Sequence, residues 1–217
     1  MNFIRDVRAG EIIMTSACLV SGPRLQHPRS LCVGCHTCHD QDDLSRCSQC
    51  RLPVCGSACQ QSQIHQQECG LISSSDVDVP VSAVTPLRVI KLKFTNPEAY
   101  KTIMELEDNL VELKQKNMWP YYEQNVIDPI VKLNLPDVTD EDIHRIVGII
   151  LTNSFETSGG GQSVQSSSII GVFSEPSMMN HHCVANTRIV LHCGNVLKVI
   201  AAVPITKGAP IYNNYAR

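Results

Sequence analysis

Apolar residues recur with one period in the middle of the chain and another towards its ends. Ile103, Leu106, Leu110 and Leu113 follow one another at spacings of three, four and three, which predicts one stripe of an amphipathic helix. Asn96-Pro97 supplies an N-cap followed by proline at the first helical position. Pro120 opens a further helical stretch that Pro129 must kink or interrupt. Thr139 and Asp142 have the spacing of a capping box, and Ile143, Ile146, Val147, Ile150 and Leu151 line one face of the helix that follows. Residues 85–157 therefore read as a helical block.

Towards the ends the period shortens. Ala9-Gly10 reads as a turn, residues 11–20 as a strand, and Gly22-Pro23 as its close. Residues 169–173, 187–191 and 196–203 are short, rich in β-branched residues and separated by turn residues such as Gly194-Asn195. Residues 24–31 and 70–78 read as linkers, and residues 158–168 as a low-complexity mobile loop. No internal repeat is visible, and no βαβ alternation supports a doubly wound sheet.

Composition narrows the class. The chain has 217 residues, 43% of them hydrophobic and 18% charged, as in ordinary globular proteins, which suits one domain with a small satellite. A net charge of -3 leaves no basic excess to hold a nucleic acid or an anionic membrane. The longest apolar runs, 146–151 and 199–205, fall short of the roughly 18 residues of a membrane span. The charged start, Met-Asn-Phe-Ile-Arg-Asp-Val-Arg, is unlike a signal peptide, so a soluble intracellular protein is expected.

Cysteine changes the picture most. There are 11, and eight of them lie between Cys32 and Cys69. An odd, clustered count without a secretion signal points to metal rather than to disulfides. Cys32-x2-Cys35, Cys47-x2-Cys50, Cys55-x3-Cys59 and His65-x3-Cys69 form four pairs, enough ligands for two tetrahedral zinc sites. The first two pairs have the spacing of zinc knuckles. The last two stand at i,i+4, on one face of a helix. Interleaving is expected, with pairs one and three on one zinc and pairs two and four on the other. Cys38 is an alternative to Cys32, and His36 and His39 are spare candidates. Free cysteines in a small core would leave the spacing of eight such ligands to chance.

The histidine is seventh of the eight ligands. With Arg46-Cys-Ser-Gln-Cys-Arg51 and Val54-Cys-Gly-Ser-Ala-Cys-Gln60, that order resembles a MYND zinc finger, with Ile64 where a tryptophan is common. The resemblance implies a protein-interaction module, often for proline-rich peptides. From Cys32 to Cys69 there are two Arg and no Lys against three Asp and one Glu, which argues against nucleic acid.

The flanks resemble a second module. Arg5-Asp-Val-Arg-Ala-Gly-Glu-Ile-Ile13 is similar to the opening strands of a SET domain, and Ile149-Ile-Leu-Thr-Asn-Ser-Phe155 to the helix before its closing half. Asn180-His-His-Cys-Val-Ala-Asn186, Val203-Pro-Ile-Thr-Lys-Gly208 and Ile211-Tyr-Asn-Asn-Tyr215 resemble that closing half, in order. The chain thus resembles the SET and MYND domain-containing family. The fold implied is α+β, a split SET-domain β-fold interrupted by a MYND zinc finger and a helical insertion. Its parts would be 1–24 and 169–217 for SET, 31–70 for the finger, 71–157 for the helical insertion and 158–168 for the flexible loop.

By resemblance the function is S-adenosylmethionine-dependent methylation of protein lysines, histone or non-histone, in the cytoplasm and/or nucleus. The cofactors implied are two Zn2+ and S-adenosylmethionine. Asn180, His181 and Asn153 would contact the cofactor, and Tyr215 would line the transfer site with its hydroxyl near the methyl. By themselves these residues read as a turn before a strand, a helix cap and a chain end, and Cys183 reads as a packed thiol. Ala185 replaces a usual proline and His182 a usual serine. The family's Gly-x-Gly segment and post-SET cysteines would fall outside residues 1–217, so weak cofactor binding by this stretch is expected. The alternative function is a catalytically impaired zinc-finger adaptor that binds partner proteins.

Overall fold

In the computed structural model, which describes residues 4–26, 31–37, 44–157, 169–192 and 196–214, the chain divides into two units. One comprises Met1–Leu19 with Phe173–Arg217, the other Val20–Val172. In chain order the strands are β1 (Ile12–Ala17), β2 (Val20–Pro23), β3 (Ser45–Arg46), β4 (Pro53–Val54), β5 (Phe155–Thr157), β6 (Ile169–Val172), β7 (Asn180–His181), β8 (Thr187–His192), β9 (Val196–Ala201) and β10 (Tyr212–Asn213). The helices are α1 (Ser57–Gln60), α2 (Gln66–Ile72), α3 (Val84–Thr95), α4 (Pro97–Met104), α5 (Leu110–Lys114), α6 (Trp119–Tyr122), α7 (Asp128–Lys132), α8 (Asp140–Asn153) and α9 (Ser174–Ser177).

The first unit is built on an antiparallel sheet of order β1-β9-β8. Along β9 the side chains of Leu197, Val199 and Ala201 are buried and their neighbours half-buried, the two-residue period of a sheet with one covered face. The register shifts between Ile12 and Met14, a bulge that bends β1. Val7 and Ile205 form a bridge and pack with Ala201, Ile13 and Ala209. A second, two-stranded parallel pairing joins β10 to β7. The predicted strand over 11–20 is two strands, β1 and β2, that enter different sheets. The strand expected over 196–203 ends at Ala201, ahead of Pro204.

The second unit holds the sheet β2-β6-β5, the cysteine-rich segment and helices α1 to α8. Helix α3 packs on β2 and buries its first seven residues, Val84 to Ile90. Gly22 permits that approach, because a Cβ there would stand 2.3 Å from Thr85 Oγ1, whose hydroxyl donates to the Pro23 carbonyl at 2.7 Å. The Thr139 and Asp142 capping box starts α8, and Ile143, Ile146, Val147, Ile149 and Ile150 of that helix are buried. Asn96 caps α4 by accepting the Ala99 N–H at 3.2 Å.

The stripe from Ile103 to Leu113 is not one helix. Helix α4 stops at Met104, Asn109 takes a left-handed φ of 47°, and the Asp108 carboxylate accepts the Leu110 N–H at 3.0 Å to begin α5. Short polar side chains that bond the backbone locally have won over the apolar period. Pro129 interrupts its stretch as expected: it lacks an N–H, and a wider π turn over Glu123–Ile127 separates α6 from α7. Gly194-Asn195 and the loop 158–168 lie outside the described residues.

Candidate metal centre and the Asn-His strand

The two knuckles share one backbone design. In the first, the Cys32 N–H donates to the Thr37 carbonyl at 3.0 Å and the His36 N–H donates back to the Cys32 carbonyl at 2.8 Å. In the second, Cys47 donates to Leu52 at 2.9 Å and Arg51 to Cys47 at 3.0 Å. Each loop closes through a left-handed residue, His36 at φ 61° and Arg51 at φ 64°. The hairpin β3-β4 brackets the second knuckle, and the Val33 N–H ties the first to the Pro53 carbonyl at 3.0 Å.

These turns and the helices after them gather two groups of ligands, Cys32/Cys35/Cys55/Cys59 and Cys47/Cys50/His65/Cys69. In each, the candidate ligand atoms all lie within 4.8 Å of one another. Cys55 precedes α1 and His65 is the N-cap of α2, so only Cys59 and Cys69 of the last two pairs sit inside a helix, short of the shared helical face expected. Cys38 and His39 lie outside the described residues. Cys32 stands in the first group, and His36 in neither.

The spacing within each group is that of a tetrahedron. Zn–S bonds of about 2.3 Å and Zn–N bonds of about 2.0–2.1 Å imply S···S edges of about 3.8 Å and S···N edges of about 3.6 Å. The distances are 3.6 Å for Cys35 Sγ to Cys55 Sγ, 3.8 Å for Cys47 Sγ to Cys69 Sγ and 3.6 Å for Cys50 Sγ to His65 Nε2. A disulfide would bring two sulfurs to about 2.05 Å. The thiols also load one another unevenly. Burial opposes charge on Cys35, but hydrogen bonds to Thr37 and to neighbouring thiols outweigh it and pull the thiol down to about 6. Burial, with the Cys32 and Cys35 thiols beside it, pushes Cys59 up to about 11. In the second group Cys47 is pulled down to about 6 by hydrogen bonds that outweigh its burial, while burial and the charge of Cys47 push Cys69 up to about 11. Donors this close cannot all ionise by themselves, and a divalent cation removes the conflict. The residues present therefore fit zinc in two four-ligand sites.

The groups differ in surroundings. All four members of the second are buried, while Cys35 in the first is exposed and Cys59 half-buried. Behind His65 lies a residue that sequence reasoning missed. Glu68, fully buried, faces His65 Nδ1 at 2.9 Å and so presents Nε2 to the sulfurs. Burial opposes the charge of His65, but the Glu68 carboxylate outweighs it and raises the imidazole pKa. The Glu68 carboxylate in turn holds Arg88 of α3 at 2.7 Å. Glu68 stands beside a ligand, yet nothing in its spacing marks it, and Arg88 lies nineteen residues past Cys69.

In the first unit, β7 carries Asn180 and His181, both exposed. Parallel pairing sets Asn180 opposite Tyr212 and His181 opposite Asn213. The junction is laced further: the His182 N–H donates to the Asn213 carbonyl at 3.0 Å, the Thr187 hydroxyl to the Tyr212 carbonyl at 2.7 Å, and the Asn186 amide to the Pro210 carbonyl at 2.8 Å. Two of the three motifs of the closing half thus meet. Tyr215 lies outside the described residues, two positions beyond β10. Exposed Cys183 places its Sγ 3.7 Å from His181 Nε2 rather than in a core. Asn153, in the other unit, donates from its amide to the Glu107 carbonyl at 2.7 Å and the Ile149 carbonyl at 2.8 Å, as a residue ending a helix does.

No family model matches the chain. It is similar to the SET domain-containing protein SmydA-8, isoform A, of Drosophila melanogaster, 30% identical over 224 residues that cover 98% of this chain and 47% of the relative. It is also similar to the histone-lysine N-methyltransferase ASHR1 of Arabidopsis thaliana, 24% identical over 207 residues, covering 86% of this chain and 41% of that protein. The chain spans less than half the length of each of these relatives. Among solved structures, the SET domain of LSMT bound to lysine and AdoHcy is similar at 16% identity and a TM-score of 0.46, over 98% of this chain and 46% of that one.

Proposed function

We propose that this chain, which belongs with the SET and MYND domain-containing proteins, contributes the cofactor-binding and transfer residues of an S-adenosylmethionine-dependent protein-lysine methyltransferase. The observation that carries the reading is the pairing of β7 with β10, which sets Asn180-His181 beside the strand leading to Tyr215. Residues 1–24 and 169–217 are assigned to the SET portion, 31–70 to the finger and 71–157 to the helical insertion.

When bound, S-adenosylmethionine supplies an electrophilic methyl on a sulfonium. The exposed Asn180 amide and His181 imidazole suit the polar, zwitterionic end of that cofactor, and no described residue hydrogen-bonds the Asn180 side chain. By the family pattern Asn153 is a further candidate for a cofactor contact. Tyr215 lines the transfer site with its hydroxyl near the methyl, and the lysine amine must arrive neutral and in line, so positioning carries most of the rate. Two Zn2+ in the finger are structural, because each group has four protein donors and no position left for a substrate.

The partner of the SET portion is a protein lysine, histone or not, and the finger takes a protein segment, proline-rich in the family pattern. The acidic excess of the finger speaks against nucleic acid. No helix among the described residues is long and apolar enough to cross a membrane, which suits a place in the cytoplasm or nucleus.

Calorimetric titration of S-adenosylmethionine, with transfer of labelled methyl to histones, tests this reading. Weak binding is expected in the wild type and about fivefold weaker binding in Asn180→Ala, the loss of one hydrogen bond of on the order of 1 kcal/mol. Absence of binding by a wild type that carries its zinc would overturn the methyltransferase reading and leave the finger as a protein-binding adaptor.

A further inference from the structure

Arg88 lies on α3, outside the Cys32–Cys69 segment, and is fully buried. A guanidinium has five N–H donors, and all five of this one are engaged. Nε donates to Glu68 Oε2 at 2.7 Å and Nη2 to Glu68 Oε1 at 3.0 Å. Nη2 also donates to the Val33 carbonyl at 2.8 Å. Nη1 donates to the Ser21 carbonyl at 2.9 Å and to His36 Nε2 at 2.8 Å. That last bond needs His36 Nε2 to be the unprotonated ring nitrogen, so that it can accept.

The partners fall on both metal groups. Glu68 grips His65 of the second group. Val33 lies between the ligands Cys32 and Cys35 of the first, and His36 follows them. An unbroken hydrogen-bonded path therefore runs from His65 through Glu68 and Arg88 to the first knuckle. An ordinary buried ion pair would need only Glu68. Here two of the other three donors go to the Val33 carbonyl and His36 of the first knuckle, and the third goes to the Ser21 carbonyl of β2.

We propose that Arg88, acting through Glu68 on one side and through Val33 and His36 on the other, is a positioning residue for both metal sites, and that through it the two sites load as one unit. A carboxylate behind a histidine ligand fixes its tautomer and ring and raises its donor strength. A guanidinium that also fixes the knuckle makes order at either site favour order at the other, a reciprocal coupling. The inference rests on the reading of the two groups as metal sites.

Cobalt(II) titration of the metal-free protein tests it, because a four-thiolate site and a three-thiolate, one-imidazole site have different absorption bands. In the wild type both sets of bands should grow together. In Glu68→Gln and Arg88→Lys the imidazole-containing site should lose about tenfold to hundredfold in affinity, the range for outer-shell partners of a ligand, and the two sets of bands should separate into distinct steps. Leu87→Ala, which thins the buried face of α3 without touching the network, should leave the two sites loading together. Wild-type loading by both variants would overturn the proposal, as would the same separation in Leu87→Ala. Should Arg88→Lys fail to fold, Glu68→Gln decides alone. A wild type that takes up no cobalt would instead overturn the metal reading itself.

Discussion

The two knuckles of the finger are alike in backbone and unlike in what surrounds them. Each closes through the same pair of hydrogen bonds and the same left-handed residue. Yet His36 is buried against Arg88 while Arg51 is exposed, and Gly34 lies against Cys59 where the matching position of the second knuckle carries Gln49. Two cysteines with two residues between them suffice to set the turn. The cost of changing any one residue then depends on the neighbours that tertiary structure has brought to it.

Removing a ligand should have the largest effect. Cys50→Ala takes a donor from the fully buried site, and structural zinc contributes on the order of 10 kcal/mol to folding. Zinc analysis should fall from two equivalents to one or none, and amide protection in α2 should be lost. Cys35→Ala, at an exposed ligand of the other knuckle, should be milder because water can take the open position. Equal losses would break the distinction between a buried and a partly exposed site.

Glu68→Ala comes next. It leaves the Arg88 cation buried without its counter-charge, which costs about 3–5 kcal/mol, to be read from the midpoint of denaturant unfolding. Arg46→Ala, on the exposed strand β3, should change stability by about 0.5 kcal/mol or less.

Gly34→Ala would place a Cβ 2.5 Å from the Cys59 carbonyl oxygen. The loss should be about 1–3 kcal/mol, as for other overpacked sites. It should appear first as weaker metal retention by the Cys32 group, checked by competition with a chelator.

The left-handed pair sharpens the contrast most, because the two substitutions should differ in sign. Glycine relieves a left-handed residue of about 1–2 kcal/mol. Arg51→Gly should therefore stabilise the protein by about 1 kcal/mol in thermal unfolding. His36→Gly relieves the same strain but leaves an Arg88 donor and a side-chain cavity unfilled, and should destabilise by about 1–2 kcal/mol net. Stabilisation by both would show that the bond to Arg88 contributes little.

Elements carried by local signals were legible in the chain. Thr139 and Asp142 cap α8, Asn96 caps α4, and β6, β8 and β9 lie where β-branched residues cluster. The misread elements are those in which a local bond overrode a period. Ile103 and Leu113 keep helical spacing across Asp108 and Asn109, whose side-chain bond and left-handed backbone divide the helix. Nor did spacing show that the run 11–20 would split between two sheets, because either half alone has the composition of a strand.

The sequence by itself determined which residues could bind metal and how they would pair. Four donors around one small cation must lie within about 4 Å of one another, and two residues in a turn already satisfy half of that demand. Only the tertiary structure decided that Glu68 stands behind His65, that Arg88 joins both knuckles, and that Asn180-His181 pairs with Tyr212-Asn213. The physical reason is distance along the chain. A turn or a cap is a contest among groups a few residues apart, so its outcome is written locally. A buried cation must find its carboxylate wherever packing leaves one, and a two-residue strand has no periodicity with which to announce its partner.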